Sequence, residues 1–474
     1  MSRTRKPGLR RFATGVAPLD QLLGGGLPAY SVVILAGEPG TGKTILSQQM
    51  LFANAAQGRK GMYFTTVSES PIKVARYQSE FSFFDPDKFG ESVVYTDLGE
   101  IIRRHQLGNA VEMIAESLRQ HQPALVVIDS FRAIHDLSPS PKEMRTFSYD
   151  LAVELSAIQT TTILIGEYTT DEIGTAPEFA VADGIIWMTL HRTDPGGSRS
   201  LQILKMRGAA PPITPFSFDI SRDGLTIHAL IAKPGSDELP PTGQREPAQT
   251  GVSGLDELLR GGIPSGAPVL ISGEAGTGKS TLGMQFLHHG AAALGEVGLY
   301  FSYEEQPPQL IANARKFGWD LVPLIQQSLV QIHHTPLSHV NLDAENLRVQ
   351  DLLAKTGAKR VFIDSLTMMG HAILKPEALR SHVFSLTRVL RASGATALVT
   401  TDPPAGSGLI SRFGVEESIL DGVILLRNVK VARDRKRQIE VYKMRGVAHA
   451  TGEHLMRITS KGMQVFPRCE EVGL

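Results

Sequence analysis

The fold is decided by one eight-residue stretch, Gly37-Glu38-Pro39-Gly40-Thr41-Gly42-Lys43-Thr44. It follows the apolar run Val32-Val33-Ile34-Leu35 and precedes a stretch from Ile45 to Ala56 that reads as a helix. A strand, a glycine loop and a helix in this order form a cradle whose backbone N–H groups bind phosphate oxygens. The lysine reaches the β- and γ-phosphates, and the hydroxyl of Thr44 ligates Mg²⁺. The stretch therefore predicts an ATP site.

The same pattern occurs again in the second half of the chain, as Gly273-Glu274-Ala275-Gly276-Thr277-Gly278-Lys279-Ser280. We expect every residue of both loops to contact nucleotide, with Lys43 and Lys279 on the phosphates and Thr44 and Ser280 on the metal.

The second loop belongs to a repeat that spans half the chain. Further segments recur in the same order around the loops, and small insertions separate the two collinear copies. The matching pairs are Thr14-Gly15-Val16 with Thr250-Gly251-Val252, Ile128-Asp129-Ser130 with Ile363-Asp364-Ser365, and Lys205-Met206-Arg207-Gly208 with Lys443-Met444-Arg445-Gly446. The chain is therefore a tandem duplication of one domain.

A linker rich in proline and glycine separates the two copies. It predicts a first domain over 1–235, a linker over 236–247 and a second domain over 248–474. Buried strands at Leu125 to Ile128 and Thr162 to Ile165 alternate with helical stretches, which is typical of an α/β domain with a mostly parallel sheet. Late strands around Ile185 and from Ser200 to Met206 predict an antiparallel addition at one edge.

Bulk composition narrows the function classes. The 474 residues are 42% hydrophobic and 20% charged, with a formal net charge of zero, which argues against a dedicated nucleic-acid binder. One cysteine, Cys469, permits no intrachain disulfide and no cysteine-based zinc site. We expect a reducing, cytoplasmic location, and no stretch holds the ~20 apolar residues of a membrane helix.

Acidic residues complete the predicted sites. Asp129 and Asp364 each end a buried strand, the position from which a carboxylate binds the Mg²⁺ of a nucleotide. Glu304 and Glu305 follow the strand Gly298-Leu299-Tyr300-Phe301 and are candidates to activate the attacking water. Aligned on the proline that follows, the first domain has Ser68 and Glu69, so one carboxylate of the pair is absent there. The segments Gly61-Met62-Tyr63-Phe64 and Gly298-Leu299-Tyr300-Phe301 favour an offset that differs by one residue.

Paired cations recur near the end of each copy. Lys205 and Arg207, and likewise Lys443 and Arg445, lie two apart, a spacing that puts both on one face of a strand. Two cations aimed together suit the charge that develops on a γ-phosphate. The basic run Arg433 to Arg437 is interpreted as a solvated hairpin turn or an assembly edge rather than a nucleic-acid contact, and the pairs His288-His289 and His333-His334 as structural.

Together these motifs resemble the KaiC family of RecA-like ATPases. The resemblance covers nearly the whole chain, including Arg412 to Glu417 and Asn313 to Asp320. It implies two tandem RecA-like domains and a double-ring hexamer that holds ATP at subunit interfaces. It further implies that Lys205, Arg207, Lys443 and Arg445 reach the neighbour's nucleotide, that Glu304 activates water, and that His449 contacts nucleotide.

The chain departs from the family pattern at three places. Ser68 stands where the family has a catalytic glutamate, which puts hydrolysis in the first domain in doubt. Glu417-Ser418 stands where the family's circadian clock protein autophosphorylates a Ser-Thr pair in its second domain, although the stretch more closely resembles the non-phosphorylated first domain of that clock protein. The chain stops soon after Phe466-Pro467-Arg468, where the clock protein has a regulatory tail.

The leading hypothesis is an oligomeric ATPase that hydrolyses ATP at least in its second domain, with autokinase activity at Ser418 or Ser411 as an extension. One alternative is a RecA-type motor or recombinase whose hydrolysis is stimulated by nucleic acid. Another is a signalling scaffold that ATP assembles without turnover.

Overall fold

A computed structural model describes residues 9–66, 71–138, 140–191, 198–228, 246–336, 341–371, 376–404, 406–431 and 433–467. The chain divides into two compact units, Met1–Thr193 with Gly197–Ile231, and Asp194–Gly196 with Ala232–Leu474. Most of the predicted linker lies outside the described residues.

Helices and strands alternate through the first unit. Its elements are β1 (Arg11–Phe12), α1 (Ala17–Leu22), β2 (Leu27–Pro28), β3 (Val32–Gly37), α2 (Lys43–Ala55), β4 (Gly61–Thr65), α3 (Pro71–Gln78), β5 (Val93–Asp97), α4 (Leu98–His121), β6 (Leu125–Asp129), α5 (Phe131–Asp136), α6 (Pro141–Ile158), β7 (Thr161–Gly166), α7 (Pro177–Val181), β8 (Gly184–His191), β9 (Ser198–Met206), β10 (Phe216–Ser221) and β11 (Gly224–His228). Short 3₁₀ helices lie at Pro86–Lys88 and Thr170–Gly174.

The second unit repeats this order. Its elements are α8 (Leu255–Leu258), β12 (Pro268–Gly273), α9 (Lys279–Leu294), β13 (Gly298–Ser302), α10 (Pro307–Arg315), α11 (Leu321–Gln326), β14 (Val330–His334), α12 (Leu342–Thr356), β15 (Arg360–Asp364), α13 (Leu366–His371), α14 (Pro376–Ser393), β16 (Thr396–Thr401), α15 (Glu416–Ile419), β17 (Gly422–Val431), β18 (Asp434–Met444), β19 (Glu453–Thr459) and β20 (Gly462–Phe466).

Each unit is built on a nine-stranded sheet. The order is β5-β4-β6-β7-β3-β8-β9-β10-β11 in the first unit and β14-β13-β15-β16-β12-β17-β18-β19-β20 in the second. Six strands in each sheet are parallel, and the last three add on as antiparallel neighbours. The prediction of a mostly parallel sheet with an antiparallel edge is confirmed. One detail was wrong: the strand around Ile185, β8, pairs in parallel with β3, so the antiparallel part begins only at β9.

Both faces of the first sheet are covered, as the unbroken apolar strands require. Successive residues of a strand point to opposite faces. Val33 and Leu35 accordingly pack in the cluster that includes Leu46 and Met50 of α2. Val32 and Ile34 pack in a second cluster with residues of α4 and α6.

The elements around the predicted sites differ from the sequence-based bounds by only one or two residues. The loop helices begin at Lys43 and Lys279, and Asp129 and Asp364 are the last residues of β6 and β15. Because β3 and β6 run parallel, as do β12 and β15, the glycine loop and the aspartate of each unit lie together at the carboxyl ends of the parallel strands. No described helix is long and apolar enough to cross a membrane.

Candidate functional site

The first component of each site is a glycine loop that closes on the start of a helix. Gly42 and Gly278 precede α2 and α9 with φ of 101° and 108°, in the left-handed region that only glycine adopts readily. A Cβ on Gly37 would lie 2.0 Å from the carbonyl oxygen of Met188, so the loop also needs glycine for space. The loop therefore presents backbone N–H groups and the positive end of a helix to the solvent at the carboxyl ends of the parallel strands.

The loop lysines fold back onto their own loops. Lys43 Nζ donates to the carbonyl oxygens of Gly37 at 2.9 Å and Glu38 at 2.8 Å. Lys279 Nζ donates to Gly273 at 2.8 Å and Glu274 at 3.2 Å. Burial lowers the pKa of Lys43, and the nearby carboxylates of Glu167, Asp129 and Glu38 oppose that shift. Each ammonium is thus held over the concave side of its loop, where phosphate oxygens would replace carbonyls as its partners.

A hydroxyl and a carboxylate meet beside each lysine. Thr44 Oγ1 donates to Asp129 Oδ2 at 2.8 Å, and Ser280 Oγ donates to Asp364 Oδ2 at 2.7 Å. A hydroxyl and a carboxylate at this separation are the oxygen ligands that Mg²⁺ takes in nucleotide sites. The residues present therefore fit the metal that the motif implies, in both units.

The second unit carries two carboxylates after β13. Glu305 is held in place, because its Oε2 accepts from Asn313 Nδ2 at 3.0 Å and its backbone oxygen accepts from Ser302 Oγ at 2.6 Å. No described residue donates a hydrogen bond to the Glu304 carboxylate. Partial burial raises the pKa of Glu304, and the negative charges of Asp364, Asp402 and Glu305 raise it further. A carboxylate of raised pKa suits a general base.

The first unit differs at the corresponding position. Thr66 and Tyr303 are equivalent, because each donates its backbone N–H at 2.9 Å to the carbonyl of the strand-end aspartate. Counting from them places Val67 and Ser68 opposite Glu304 and Glu305, so the alignment on the proline was one residue out. Glu69 and its neighbours at 67–70 lie outside the described residues.

Lys279 has a further partner that the sequence did not indicate. Its Nζ lies 2.5 Å from Asp402 Oδ1, just beyond β16. The backbone N–H of Asp402 donates to Thr367 Oγ1 at 2.7 Å, which fixes the direction of this turn. The matching residue of the first unit is Glu167, which follows β7.

A cavity of about 270 Å³ adjoins the second loop. Its lining includes Ser280 and Thr281 of α9 and the apolar side chains of Tyr300, Leu310, Phe317 and Trp319. An aromatic and apolar wall next to a phosphate cradle has the character of a site for a flat organic base.

Comparison with known proteins decides the family. A family model described as "ATPase: KaiC" matches residues 12–231 and again 248–470. The chain belongs to the KaiC ATPase family. Each half is therefore a KaiC domain, and the chain is an ATP-binding protein of the P-loop ATPase class.

Curated relatives carry the name circadian clock oscillator protein KaiC. The protein of Parathermosynechococcus lividus is 37% identical over 227 residues, which is 46% of this chain and 42% of that protein. The protein of Synechococcus elongatus is 36% identical over 227 residues, 46% of this chain and 44% of that protein. The alignments thus span less than half the length of the relatives.

The paired cations of both KaiC domains lie away from their own loops. Lys205 Nζ donates to Ala182 O at 2.6 Å and Arg207 to Asp183 at 3.0 Å, just before β8 begins. Val33 pairs with Gly184 and Gly37 with Met188, so the loop lies four strand residues further along, roughly 13 Å away. In the second domain, Lys443 donates to Glu417 O and Leu420 O, and Arg445 to Ser418 O.

The strand argument for these cations was wrong in one respect. β9 and β18 end at Met206 and Met444, so Arg207 and Arg445 lie in the turns that follow. Both strands also carry a register shift one residue before the lysine. Because Arg207 N and Arg445 N still donate at 2.9 Å to Asp183 O and Asp421 O, and the Met between the two cations is buried, the alternation continues past the end of each strand.

Other predicted residues of the second domain have definite positions. His449 is half-buried, and its Nδ1 donates to Ala450 O at 3.1 Å. Ser411 is fully buried and its hydroxyl contacts Glu417, whereas Ser418 is exposed. Burial argues against Ser411 as a phosphate acceptor.

The basic run and the histidine pairs are also accounted for. Asp434 to Arg437 open β18 and pair with β17, so the expectation of a turn is wrong for these residues, because both strands run further than the apolar pattern indicates. His288 stacks on Trp319 and His333 on Phe301. Within the described ranges, no group of three or more His, Cys, Asp or Glu side chains has the arrangement of a metal site.

Proposed function

We propose that this KaiC-family protein binds Mg²⁺·ATP in both halves and hydrolyses it in the second. The observation that supports this is the convergence of Lys279, the Ser280–Asp364 pair and Glu304 at one edge of the second sheet. Thr44 with Asp129, and Ser280 with Asp364, would hold the metal, which supplies charge neutralisation of the phosphates when bound.

Each protein group has one role in the proposed reaction. The loop N–H groups and Lys279 orient the phosphates, so that the γ-phosphate faces the carboxylates beyond β13. Glu304 accepts the proton of the attacking water, and its raised pKa strengthens it as a base. Glu305 is a second carboxylate whose hydrogen bond to Asn313 fixes it in position. Phe317 and Trp319 of the adjoining cavity would stack on the base.

We propose a binding rather than a hydrolytic role for the first domain. It has Lys43, Thr44 and Asp129 in the same arrangement as the second domain. It has Val67 and Ser68 where the second domain has its two glutamates, and neither residue can act as a carboxylate base. Glu69 is the remaining carboxylate of that segment, and its neutralisation tests whether any turnover depends on it.

We further propose that the protein works as a ring-shaped homohexamer. Lys205, Arg207, Lys443 and Arg445 cannot serve the loop of their own domain, because that loop lies at the opposite edge of the sheet. Cations of this kind act on the nucleotide of a neighbouring subunit in ring ATPases. His449, in the same turn region, would contact that nucleotide too.

The test uses the full chain with the first nucleotide site disabled by Lys43→Ala, so that only turnover in the second domain is measured. It then compares Glu304→Gln with Glu305→Gln. We expect Glu304→Gln to lower kcat by ~10²-fold or more while nucleotide binding persists, since removal of a general base costs this much. Glu305→Gln is the matched control and should have a much smaller effect. Unchanged turnover in Glu304→Gln would refute the assigned base.

Native mass spectrometry with Mg²⁺·ATP reports the number of subunits and of nucleotides bound. Intact mass after the same incubation reports whether the chain gains phosphate, for which the exposed Ser418 is the candidate acceptor. Binding without measurable turnover in the wild type would favour an ATP-assembled scaffold, and stimulation by DNA would favour a recombinase.

A further inference from the structure

Two buried tyrosines contact the metal-binding aspartates from inside the sheets. Tyr63 lies in β4 and Tyr300 in β13, each one strand away from the aspartate. Tyr63 Oη donates to Asp129 Oδ2 at 2.5 Å, and Tyr300 Oη donates to Asp364 Oδ2 at 3.1 Å. The two rings are 0% and 1% exposed, so these hydroxyls are positioned entirely by the protein core.

The oxygen that accepts from each tyrosine is the one that also accepts from the glycine loop. Asp129 Oδ2 lies between Tyr63 and Thr44, and Asp364 Oδ2 lies between Tyr300 and Ser280. The loop hydroxyl is itself a metal ligand in the proposed function. The tyrosine therefore holds the carboxylate independently of the metal.

The second domain holds its aspartate at the other oxygen as well. Thr400 Oγ1 donates to Asp364 Oδ1 at 2.6 Å. With both oxygens hydrogen-bonded, the plane of the Asp364 carboxylate is fixed before any ligand arrives. Hydrogen-bond partners of metal-binding carboxylates orient them, and their loss typically costs ~10–100-fold in metal affinity.

We propose that Tyr63 and Tyr300 are positioning residues for magnesium, each orienting the strand-end aspartate of its domain toward the metal of Mg²⁺·ATP. This inference rests on the proposed function. Tyr300 also lines the cavity beside Ser280 and Thr281. One side chain of the second domain thus touches both the metal-binding carboxylate and the wall of the base site.

Phenylalanine is a suitable replacement because it removes the hydroxyl and keeps the ring. Tyr300 packs edge-on against Phe362 with ring centroids 4.8 Å apart, and Tyr63 packs against Tyr95 at 5.2 Å. A swap that conserves volume keeps these contacts. We therefore expect both variants to fold.

The first domain offers a matched control. Tyr95 Oη donates to Gln48 Oε1 at 2.5 Å and touches Tyr63, but its hydroxyl does not contact Asp129. Tyr95→Phe removes a neighbouring phenol hydroxyl of the same kind without touching the metal-binding carboxylate.

The experiment titrates Mg²⁺ against binding of a fluorescent ATP analogue. Tyr63→Phe and Tyr95→Phe are measured with the second loop disabled by Lys279→Ala, and Tyr300→Phe with the first disabled by Lys43→Ala. We expect Tyr63→Phe and Tyr300→Phe to raise the half-saturating Mg²⁺ concentration ~10-fold or more. Binding in EDTA should be unchanged, and Tyr95→Phe should match its parent.

Three results would overturn the proposal: an unchanged Mg²⁺ requirement in both variants, an equal loss of binding with Mg²⁺ and with EDTA, or the same shift in Tyr95→Phe. A wild-type protein that binds the analogue without any Mg²⁺ dependence would instead refute the metal site of the proposed function.

Discussion

Arg360 and Gly290 of the second domain lie in contact, and the first domain has different residues at both equivalent positions. The stability of variants that exchange the two sets of residues can therefore be predicted. Arg360 is 1% exposed at the start of β15. Its Nη1 donates to Gln249 O at 2.7 Å and Phe286 O at 3.0 Å, and its Nε lies 2.5 Å from Glu296.

The first domain satisfies the equivalent carbonyls in another way. Asn54 of α2 donates through Nδ2 to Ala13 O at 2.7 Å and Met50 O at 2.8 Å, and the strand position is Leu125. The helix position equivalent to Asn54 is Gly290, where a Cβ would lie 2.2 Å from Arg360 Nε. An asparagine amide on the helix and an arginine guanidinium on the strand therefore bond the same pair of carbonyls in the two domains. One domain cannot hold both side chains, because they would occupy the same space.

The magnitudes follow from the contacts. Arg360→Leu removes two hydrogen bonds from a charged donor, at about 1.5–3 kcal/mol each, and breaks an ion pair. Because Glu296 is 32% exposed and can rehydrate, we expect a total loss of about 3–5 kcal/mol. Gly290→Asn alone overpacks against the arginine, at about 1–3 kcal/mol. The double variant should lie within about 2 kcal/mol of the parent, because the introduced amide reaches both carbonyls.

The assay uses the one tryptophan in each unit. In a Trp187→Phe background, the fluorescence of Trp319, which is 7% exposed, reports unfolding of the second domain in urea. A double-mutant cycle then yields the coupling free energy, which we expect to be about 3 kcal/mol. Additive losses, with the double variant less stable than either single variant, would refute the reasoning.

The remaining predictions concern pH and nucleotide affinity. Burial lowers the pKa of His382 to about 4, and its Nδ1 accepts from Asn346. In the unfolded chain this histidine binds its proton near pH 6.5, so the free energy of unfolding should fall by about 3 kcal/mol as the pH drops from about 6.5 to 4. His382→Gln should flatten this pH dependence in urea titrations followed by the fluorescence of Trp319. Asp402 competes with phosphate for Lys279, so Asp402→Asn should tighten ATP binding to the second domain ~5–10-fold, or about 1 kcal/mol, by fluorescent-analogue titration. Glu167→Gln is the matched variant of the first domain; equal effects of the two would contradict the role of the Lys279–Asp402 pair.

Sequence reasoning recovered the fold class because the strands are continuous apolar runs that end at recognisable positions. Val32 to Leu35 is a short, mostly β-branched run followed directly by a glycine loop, which favours a buried strand, and Gly42 stands where the chain needs positive φ. The same reasoning went wrong at the sheet edge. β9 ends at Met206, one residue before Arg207, and nothing in the composition marks that end.

Several site residues carry no local signal at all. Tyr300 reads as an ordinary strand aromatic, and only the pairing of β13 with β15 brings its hydroxyl to Asp364. Asp402 lies far from Lys279 in the chain and meets it because β16 runs beside β12. Comparison of strand ends in the two halves could have identified Asp402, since Glu167 stands at the same place.

The sequence by itself determined the duplicated phosphate loops, because such a loop is a local structure whose glycines, lysine and hydroxyl are contiguous. It also determined that the two copies differ after β4 and β13, where Glu304 and Glu305 of the second copy have no matching pair of carboxylates in the first. The tertiary structure alone decided which side chains meet across strands. It brought Tyr63 to Asp129 and placed the cation pairs at the amino ends of the parallel strands, away from the glycine loops of their own domains. Register and strand order depend on contacts between segments far apart in the chain.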